Sequence, residues 1–325
     1  MDLHRSRGED GNHADHHSER PVSRRGALMF AALCLVWGIP YLLIKVAIDE
    51  LTPIALVFLR TSLAAALLLP LALARGQVRP VLRRWRPLLA YSVVEIAVPW
   101  LLLTEAERYL TSSLTGLLIA AVPLVGAALA WVIGTRERTG PAALTGLLLG
   151  LAGVAALVGF DVHGANLGAV AALGVVVVGY AVGPAILARS LGDLPGLGVV
   201  ACSLTLCAVG YAPFAVTRLP TSMPSQPVVI SVVLLAVVCT AAAFLLLFGL
   251  VAEIGPVRAT VITYVNPAVA VAAGALILDE PITVATMVGF GLIIVGSVLA
   301  TRGAKPAPKP DERPVSCEAV AAEPH

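Results

Sequence analysis

Residues 27–48 read ALMFAALCLVWGIPYLLIKVAI, a run of 22 residues with one charged side chain, Lys45. An α-helix needs about 20 predominantly apolar residues to cross the hydrocarbon core of a bilayer. The run is apolar on every face of a helix and lacks the two-residue alternation of a membrane β-strand. It is too long for a signal peptide, and Lys45 and Asp49 follow instead of a small-residue cleavage site. We therefore expect a transmembrane helix here.

Nine further apolar runs of similar length follow, each bounded by charge, Pro or Gly. The ten runs lie near residues 27–48, 53–74, 87–104, 112–133, 141–160, 166–188, 195–216, 227–250, 257–278 and 283–301. Of the 325 residues, 58% are hydrophobic and 13% are charged, whereas a soluble domain has about 25% charged residues. The sequence predicts an all-α membrane protein with ten transmembrane helices, between disordered cytoplasmic tails at residues 1–26 and 302–325.

Positive charge is distributed unevenly among the connections between these runs. Of the 22 Lys and Arg residues, 18 fall in the termini and the even-numbered connections, and only Arg108 and Arg218 fall in the others. Because cytoplasmic segments carry an excess of Lys and Arg, we expect both termini to be cytoplasmic, in a multi-pass protein of the plasma membrane. The net charge of +2 gives no broad basic surface for nucleic acid.

The two halves of the chain share a pattern. At an offset of 144 residues, or 143 for the last pair, the matches are Pro40 with Pro184, Lys45 with Arg189, Pro123 with Pro267, and Trp37 with Tyr180. Each half, residues 27–160 and 166–301, would hold five spans, so the second half would enter the membrane from the opposite side. We therefore expect two inverted five-helix repeats, an architecture typical of alternating-access transporters.

Short motifs recur in the same order in both halves. They are Trp37-Gly38-Ile39-Pro40-Tyr41, Val122-Pro123-Leu124 and Arg136-Glu137-Arg138 in the first half, and Asn266-Pro267 and Asp279-Glu280-Pro281 in the second. Taken together, the pattern resembles the EamA-type repeats of the drug/metabolite transporter superfamily over about residues 27–301. The resemblance implies a ten-helix transporter, often an exporter, of small metabolites such as amino acids, with a central cavity between the halves. Asn266, where family members often have Glu, departs from the pattern.

Charged side chains inside the runs are the strongest site candidates. Glu95 lies in the middle of the third run. Inserting a carboxylate at the centre of a membrane helix costs about 2.5 to 3.5 kcal/mol of free energy, so such residues usually face a cavity and have a functional role. Glu95 could carry a proton or bind a substrate ammonium; an ion pair with Arg60 or Lys45 is the structural alternative. Arg60 could in turn neutralise a substrate carboxylate, while Lys45, near the end of its run, is expected to extend to the interface.

Aromatic, amide and proline residues complete the predicted site. The further candidates for lining the substrate cavity are Trp37, Tyr180, Tyr264 and Asn266, and the candidates for helix kinks or gating are Pro40, Pro99, Pro123, Pro184 and Pro267. Each proline removes a backbone donor and frees a carbonyl, so it kinks its helix and can also expose that carbonyl to a substrate. The pairs Gly146/Gly150 and Gly179/Gly183 predict close helix packing, with a homodimer face as the alternative.

These features favour a secondary transporter of a small polar metabolite in the lipid bilayer, with proton coupling open through Glu95. A multidrug or organic-cation exporter and a lipid flippase are the alternatives. A membrane-embedded enzyme fits least, since the sequence has no G-x-S-x-G motif and its one His between the tails, His163, falls in a connection. No P-loop is present, and the five cysteines have no metal-ligand spacing. We expect no cofactor and no metal.

Overall fold

The computed structural model describes residues 23–132, 141–161, 167–254, 259 and 261–301. Its membrane-length helical segments are α1 (Arg24–Ala47), α2 (Pro53–Ala74), α3 (Trp85–Ala106), α4 (Ser112–Ile119 with Val122–Val132), α5 (Pro141–Asp161), α6 (Leu167–Leu191), α7 (Gly196–Arg218), α8 (Gln226–Ile254), α9 (Ile262–Ile277) and α10 (Val284–Thr301). The ten segments counted in these residues confirm the expected all-α membrane fold. Glu137 and the tails up to residue 22 and beyond 301 lie outside the described residues.

The helix ends differ from the predicted runs by a few residues. The first helix begins at Arg24, where Ser23 caps it by accepting from the backbone N–H of Gly26, so residues 24–26 belong to α1 and not to the tail. A short helix, Val78–Leu82, lies in the connection between α2 and α3. Seven of the segments are long and apolar enough to cross a membrane, while α5, α9 and α10 contain the shorter apolar stretches Leu144–Leu157, Ile262–Ile277 and Val284–Ala300.

Three of the described spans contain a stretch of π-helix, and two of these stretches lie at matching positions of the two halves. In α3 the stretch covers Ser92–Ala97, and in α8 it covers Val237–Ala242. The starting positions of these two stretches, 92 and 237, are related by nearly the same offset as the paired prolines. The repeat is therefore visible in this irregularity of the backbone as well as in the sequence. Short π-helical stretches are rare and are frequently found at functional sites.

Three of the five prolines stand at the start of a new helical segment. Pro40 follows the break at Ile39 in α1, Pro99 follows the π-helical stretch of α3, and Pro123 follows the turn that divides α4. Pro184 lies inside a helix that turns π-helical three residues later, whereas Pro267 lies inside the continuous α9. Helical irregularities thus accompany Pro40, Pro99 and Pro123, and the predicted kinks at Pro184 and Pro267 and a role in gating stay predictions.

The packing of the helices has the symmetry expected of two repeats. In the first half α1 packs against α8 and α9, and its counterpart α6 packs against α3 and α4. The remaining pairs, α2 with α7, α4 with α9 and α5 with α10, are each formed by two equivalent helices. Exchanging the halves leaves this pattern unchanged. Because each half crosses the membrane five times, the two repeats are inverted.

Glycine brings α5 and α10 into backbone contact. A Cβ added at Gly146 would lie 2.6 Å from the carbonyl oxygen of Gly296, and one added at Gly153 would lie 2.7 Å from that of Gly289. Gly150 instead meets the side chain of Leu124. The Gly146/Gly150 face is thus covered within the chain, so it serves intramolecular packing and is not free as a dimer face.

The helical bundle has two ends, which are distinguished by the direction of α1. The first face is the end at which α1 begins, and the second face is the end at which α1 finishes and α2 starts. Large apolar side chains, such as Leu28, Leu151, Val209, Leu276 and Val284, are exposed on the outside of the helices between these faces. Such a surface suits contact with lipid.

Candidate functional site

Glu95 lies where α6 is pressed directly against the π-helical stretch of α3. A Cβ at Gly183 would stand 2.9 Å from the Cβ of Glu95 and would overlap its Oε2, while a Cβ at Gly179 would stand 2.6 Å from the carbonyl oxygen of Val94. The two glycines therefore create the space that Glu95 fills. Its Oε2 is buried and has no hydrogen-bond partner within the described part of the chain. Burying a carboxyl oxygen without a hydrogen bond is energetically unfavourable. An oxygen in this situation is a candidate for binding a donor group of a ligand.

Arg60 joins the two halves beside this junction. Its side chain is buried, its Nε donates to Oγ1 of Thr240 at 3.0 Å, and its guanidinium lies 3.7 Å from the centre of the Trp100 ring. Thr240 belongs to the π-helical stretch of α8, at the position equivalent to Glu95 of α3. Arg60 thus links α2 to α3 by a cation–π contact and to α8 by a charge-assisted hydrogen bond.

The alternative of an ion pair for Glu95 is wrong. The ion pairs formed by the described residues are Arg84 with Asp193 and Arg108 with Glu105. Arg60 is held by Thr240 and Trp100, and Lys45 is held elsewhere by backbone carbonyls, so neither cation lies within pairing distance of Glu95.

Tyr180 completes this group on the side of α6. Its half-buried side chain lies within electrostatic range of both Glu95 and Arg60 and next to Trp100. The structure therefore brings together three predicted residues, Glu95, Arg60 and Tyr180, with two that the sequence did not suggest, Trp100 and Thr240. Thr240 could have been found by carrying Glu95 through the repeat. Trp100 carries no such signal, since an aromatic residue in an apolar run is ordinary.

The remaining predicted cavity residues hold α1 against its neighbours. The Trp37 ring meets Phe244 of α8 edge-on at 6.1 Å, and Phe244 stacks on Phe248 at 6.4 Å. With the Asn266 amide assigned so that its nitrogen faces carbonyls, it donates to Ile262 at 3.1 Å and Cys34 at 3.2 Å, which ties α9 to α1. The Tyr264 side chain is half-buried on α9. These contacts form an aromatic and amide-lined wall along α1, α8 and α9.

A second buried carboxyl lies at the end of α3, near the second face. Glu107 is completely buried, and neither of its carboxyl oxygens has a hydrogen-bond partner among the residues that the structure describes. Lys45 donates to the backbone carbonyls of Glu107 at 2.6 Å and Leu110 at 2.9 Å, so it stabilises the C-terminal end of α3 instead of extending to the interface. Glu107 has no distinguishing signal in the sequence, because Glu105 and Arg108 beside it are exposed and the local pattern does not separate the three residues.

Glu280 provides a cap that also joins the halves. Its carboxylate accepts from the backbone N–H groups of Ser112 at 2.8 Å and Ser113 at 2.9 Å and from the Ser113 hydroxyl at 2.5 Å. A carboxylate at the N-terminus of a helix is stabilised by the helix dipole. The connection between α9 and α10 is thereby attached to the start of α4.

Two equivalent polar contacts bridge the halves on opposite faces. On the first face, both terminal nitrogens of Arg84 donate to the Asp193 carboxylate, and this guanidinium holds the pKa of Asp193 below its usual value. On the second face, Glu50 accepts from the backbone N–H of Ser225 at 2.9 Å, and hydrogen bonds from Ser225 lower the pKa of Glu50. Each carboxylate follows the first helix of one half, and each partner begins the third helix of the other half.

An open cavity of about 600 Å³ lies beside the second of these contacts. The connection between α1 and α2, including Glu50, forms one wall, and the end of α3 with Arg218 forms the rest. It contains both signs of charge but neither Glu95 nor Arg60.

Comparison with known proteins decides the family. The sequence model of the EamA-like transporter family matches residues 24–159 and again residues 166–302. The chain belongs to the EamA-like transporter family. As an EamA-like protein built of apolar helices, it is a multi-pass integral membrane transporter.

Relatives of this EamA-like transporter are found in bacteria and archaea. It is 28% identical to the uncharacterized inner membrane transporter YedA of Escherichia coli (strain K12), over 90% of this chain and 97% of YedA. It is 26% identical to the uncharacterized transporter YvbV of Bacillus subtilis (strain 168), over 86% and 93%, and 23% identical to an uncharacterized transporter of Archaeoglobus fulgidus, over 85% and 98%. One crystal structure matches with a TM-score of 0.62 and 22% identity, over 85% of this chain and 96% of that one, which supports the fold alone.

Proposed function

We propose that this protein is a secondary transporter that exports a small metabolite bearing an ammonium group, such as an amino acid, by alternating access between its two repeats. The observation that carries the proposal is the Glu95 carboxyl, which stands in mid-span at the α3–α6 junction with a buried oxygen that has no partner among the described residues. A substrate ammonium would supply the missing donors. Arg60, which is buried and lies like Glu95 within electrostatic range of Tyr180, would favour a carboxylate on the same substrate.

Alternating access requires that the two faces open in turn. The contact between Arg84 and Asp193 joins the halves on the first face, and that between Glu50 and Ser225 joins them on the second. Because the two contacts occupy equivalent positions in inverted repeats, a movement that breaks one can leave the other intact. We propose that they act as the paired gates, with the breaks at Pro40, Pro99 and Pro123 as the points of bending.

The cellular orientation follows from the charge pattern. We propose that the first face is cytoplasmic, because it carries the Arg-rich connection between α2 and α3 and both termini of the bundle. The second face would then open to the outside of the plasma membrane. In this orientation, export means loading at the Arg84–Asp193 face and release at the Glu50–Ser225 face.

An exporter of organic cations is the second candidate. The row formed by Trp37, Phe244 and Phe248 offers apolar and aromatic surface, and Glu95 supplies a single acid. Aromatic faces bind quaternary ammonium groups. This arrangement would suit a bulky cation without a carboxylate, in which case Arg60 would contribute only to packing.

Uptake and counterflow in proteoliposomes distinguish these proposals. Radiolabelled amino acids and a few organic cations are tested with and without an imposed pH gradient, for the unmodified protein and for Glu95→Gln. Glu105→Gln is the matched control, since Glu105 lies on the same helix but is exposed and paired with Arg108. We expect saturable amino-acid flux that is lost in Glu95→Gln and kept in Glu105→Gln. Flux that survives Glu95→Gln would contradict the role of Glu95, and flux of organic cations alone would favour the second candidate.

A further inference from the structure

Glu107 is a buried acidic residue that takes no part in the proposed substrate site. The described part of the fold provides no hydrogen bond to its carboxyl group. Glu107 caps the C-terminal end of α3, about three turns beyond Glu95. Its side chain is fully buried, and both carboxyl oxygens lack a hydrogen-bond partner within the described ranges. The neighbouring acid Glu105, by contrast, is exposed and paired with Arg108.

An ionised carboxylate is not expected to persist in such a place. Removing a charge from water is strongly unfavourable unless hydrogen bonds and a close opposite charge compensate, whereas a neutral carboxylic acid is far easier to bury. Hydrogen bonds to the carboxyl oxygens are missing among the described residues, and Lys45, although nearby, donates to the backbone carbonyls of Glu107 and Leu110 and forms no ion pair with this carboxyl group. The geometry therefore favours a carboxyl group that holds a proton.

The titratable groups within electrostatic range of Glu107 come from both halves of the protein. Lys45 and Tyr41 face it from α1, Arg60 faces it from α2, and Glu280 faces it from the connection between α9 and α10. The two cations belong to the same half as Glu107 and favour its ionisation. The opposing anion, Glu280, belongs to the other half and is anchored to the start of α4 by three hydrogen bonds.

We propose that Glu107 is a proton-binding site of this transporter, occupied in the arrangement described here and emptied towards the second face when the halves separate there. Separation withdraws Glu280 and admits water, while Lys45 and Arg60 stay with Glu107. The O–H bond of the acid then breaks, the proton passes to water at the second face, and the third N–H of Lys45, which the two backbone carbonyls leave unused, can pair with the carboxylate. Occupancy by a proton rests on the burial of Glu107, whereas its release rests on the proposed alternation of the halves.

Infrared spectroscopy of the purified protein in lipid tests occupancy without any cargo. The probe is the carbonyl stretch of a protonated carboxylic acid, measured for the unmodified protein, Glu107→Gln and the control Glu105→Gln. We expect a band that disappears in Glu107→Gln and remains in Glu105→Gln. The same band in all three proteins would mean that Glu107 is ionised, and the proposal would fail.

Two neighbouring substitutions keep the test decisive if Glu107→Gln does not fold. Lys45→Gln removes a cation, so the band should persist to higher pH, and Glu280→Gln removes an anion, so it should vanish at lower pH. A band that responds to neither change does not belong to a group in this environment and would overturn the proposal.

Transport separates the proton site from the proposed function. If Glu107 releases its proton when the second face opens, counterflow of the radiolabelled cargo should depend on the pH at that face in the unmodified protein and lose this dependence in Glu107→Gln. An unchanged pH dependence in Glu107→Gln would show that the proton is held statically, which overturns its release. Loss of counterflow in Glu95→Gln but not in Glu107→Gln would support the substrate site independently, so the two proposals can fail separately.

Discussion

Arg84 and Asp193 form a bidentate ion pair across the boundary between the two halves, with nitrogen–oxygen distances of 2.6 and 2.7 Å. Arg84 stands at the N-terminus of the helical segment that opens α3, and Asp193 lies in the connection between α6 and α7. The pair joins the halves at the first face, at the position where Glu50 and Ser225 join them at the second. Because the two contacts are equivalent, substitutions at either one can test their function.

The first prediction concerns the stability of the first-face contact. In a variant whose only cysteine is Cys239, which is buried near Arg60, we expect Asp193→Asn to speed labelling by a membrane-impermeant maleimide applied at the first face. An exposed ion pair contributes up to about 1 kcal/mol, so the increase should reach about fivefold at most. The exchanged pair, Arg84→Asp with Asp193→Arg, should restore slow labelling. Equal rates in all these variants would contradict a gating role.

The second prediction concerns pH. The pKa of Asp193 is lowered by Arg84, so the contribution of the pair is complete above the ordinary Asp pKa of about 3.9 and is lost only as the pH falls through the lowered value. We expect the ratio of Cys239 labelling between Asp193→Asn and the parent variant to stay constant from about pH 5 to 8. A ratio that approaches one within this range would show that another group controls the contact.

The third prediction concerns the glycine that accommodates Glu95. An alanine at position 183 would collide with the Glu95 carboxyl, so Gly183→Ala should displace that side chain and separate α6 from α3. We expect reduced counterflow and a lower unfolding temperature. Gly174→Ala is the matched control on the same helix, because nothing lies within 4 Å of its added Cβ. It should unfold no earlier than the unmodified protein, since Ala favours a helix by up to about 1 kcal/mol over Gly.

The fourth prediction concerns Arg60. Lysine cannot reproduce both the Nε bond to Thr240 and the stacking on Trp100, so Arg60→Lys should lower the free energy of unfolding by about 1 to 3 kcal/mol. Denaturation of the purified protein in detergent measures this loss. Arg86→Lys, at an exposed arginine 5.4 Å from the Trp85 ring, is the control and should change stability by less than about 0.5 kcal/mol. Equal losses in both variants would exclude a special role for Arg60.

The fifth prediction concerns topology. Exposed arginines at the two faces can be replaced singly by cysteine in a variant without other cysteines, Arg75→Cys at the first face and Arg218→Cys at the second. In intact cells we expect an impermeant maleimide to label Arg218→Cys and not Arg75→Cys. In inside-out vesicles the result should reverse. Labelling of Arg75→Cys from outside the cell would reverse the proposed direction of export.

The spans and the repeat were largely predictable from the sequence, whereas the exact course of the helices was not. Apolar length identified each span, and paired prolines located the repeat. The π-helical stretches of α3 and α8 have no signal of their own, and only Pro99 hinted at one of them. Such irregularity depends on how closely a neighbouring helix approaches, as Gly179 and Gly183 show against α3.

The candidate site was predictable only in part. Glu95, Arg60 and Tyr180 were suggested because a charge or matched aromatic residue is conspicuous in an apolar run, and Tyr180 lies within electrostatic range of the other two. Glu107 was not found, because a charged residue at the end of a span is ordinarily exposed. Its burial results from the helices and connections that surround it, and these come from distant parts of the chain.

The sequence by itself therefore determined the solvent, the number of spans and the inverted repeat. These depend on the length of apolar runs and on their spacing along the chain, which a bilayer of constant thickness imposes. Only the tertiary structure decided which polar groups meet, such as Arg60 with Thr240, 180 residues apart, and Glu280 with Ser112, 168 residues apart. Such contacts depend on how helices cross and where their backbones bend, and local periodicity contains no record of either.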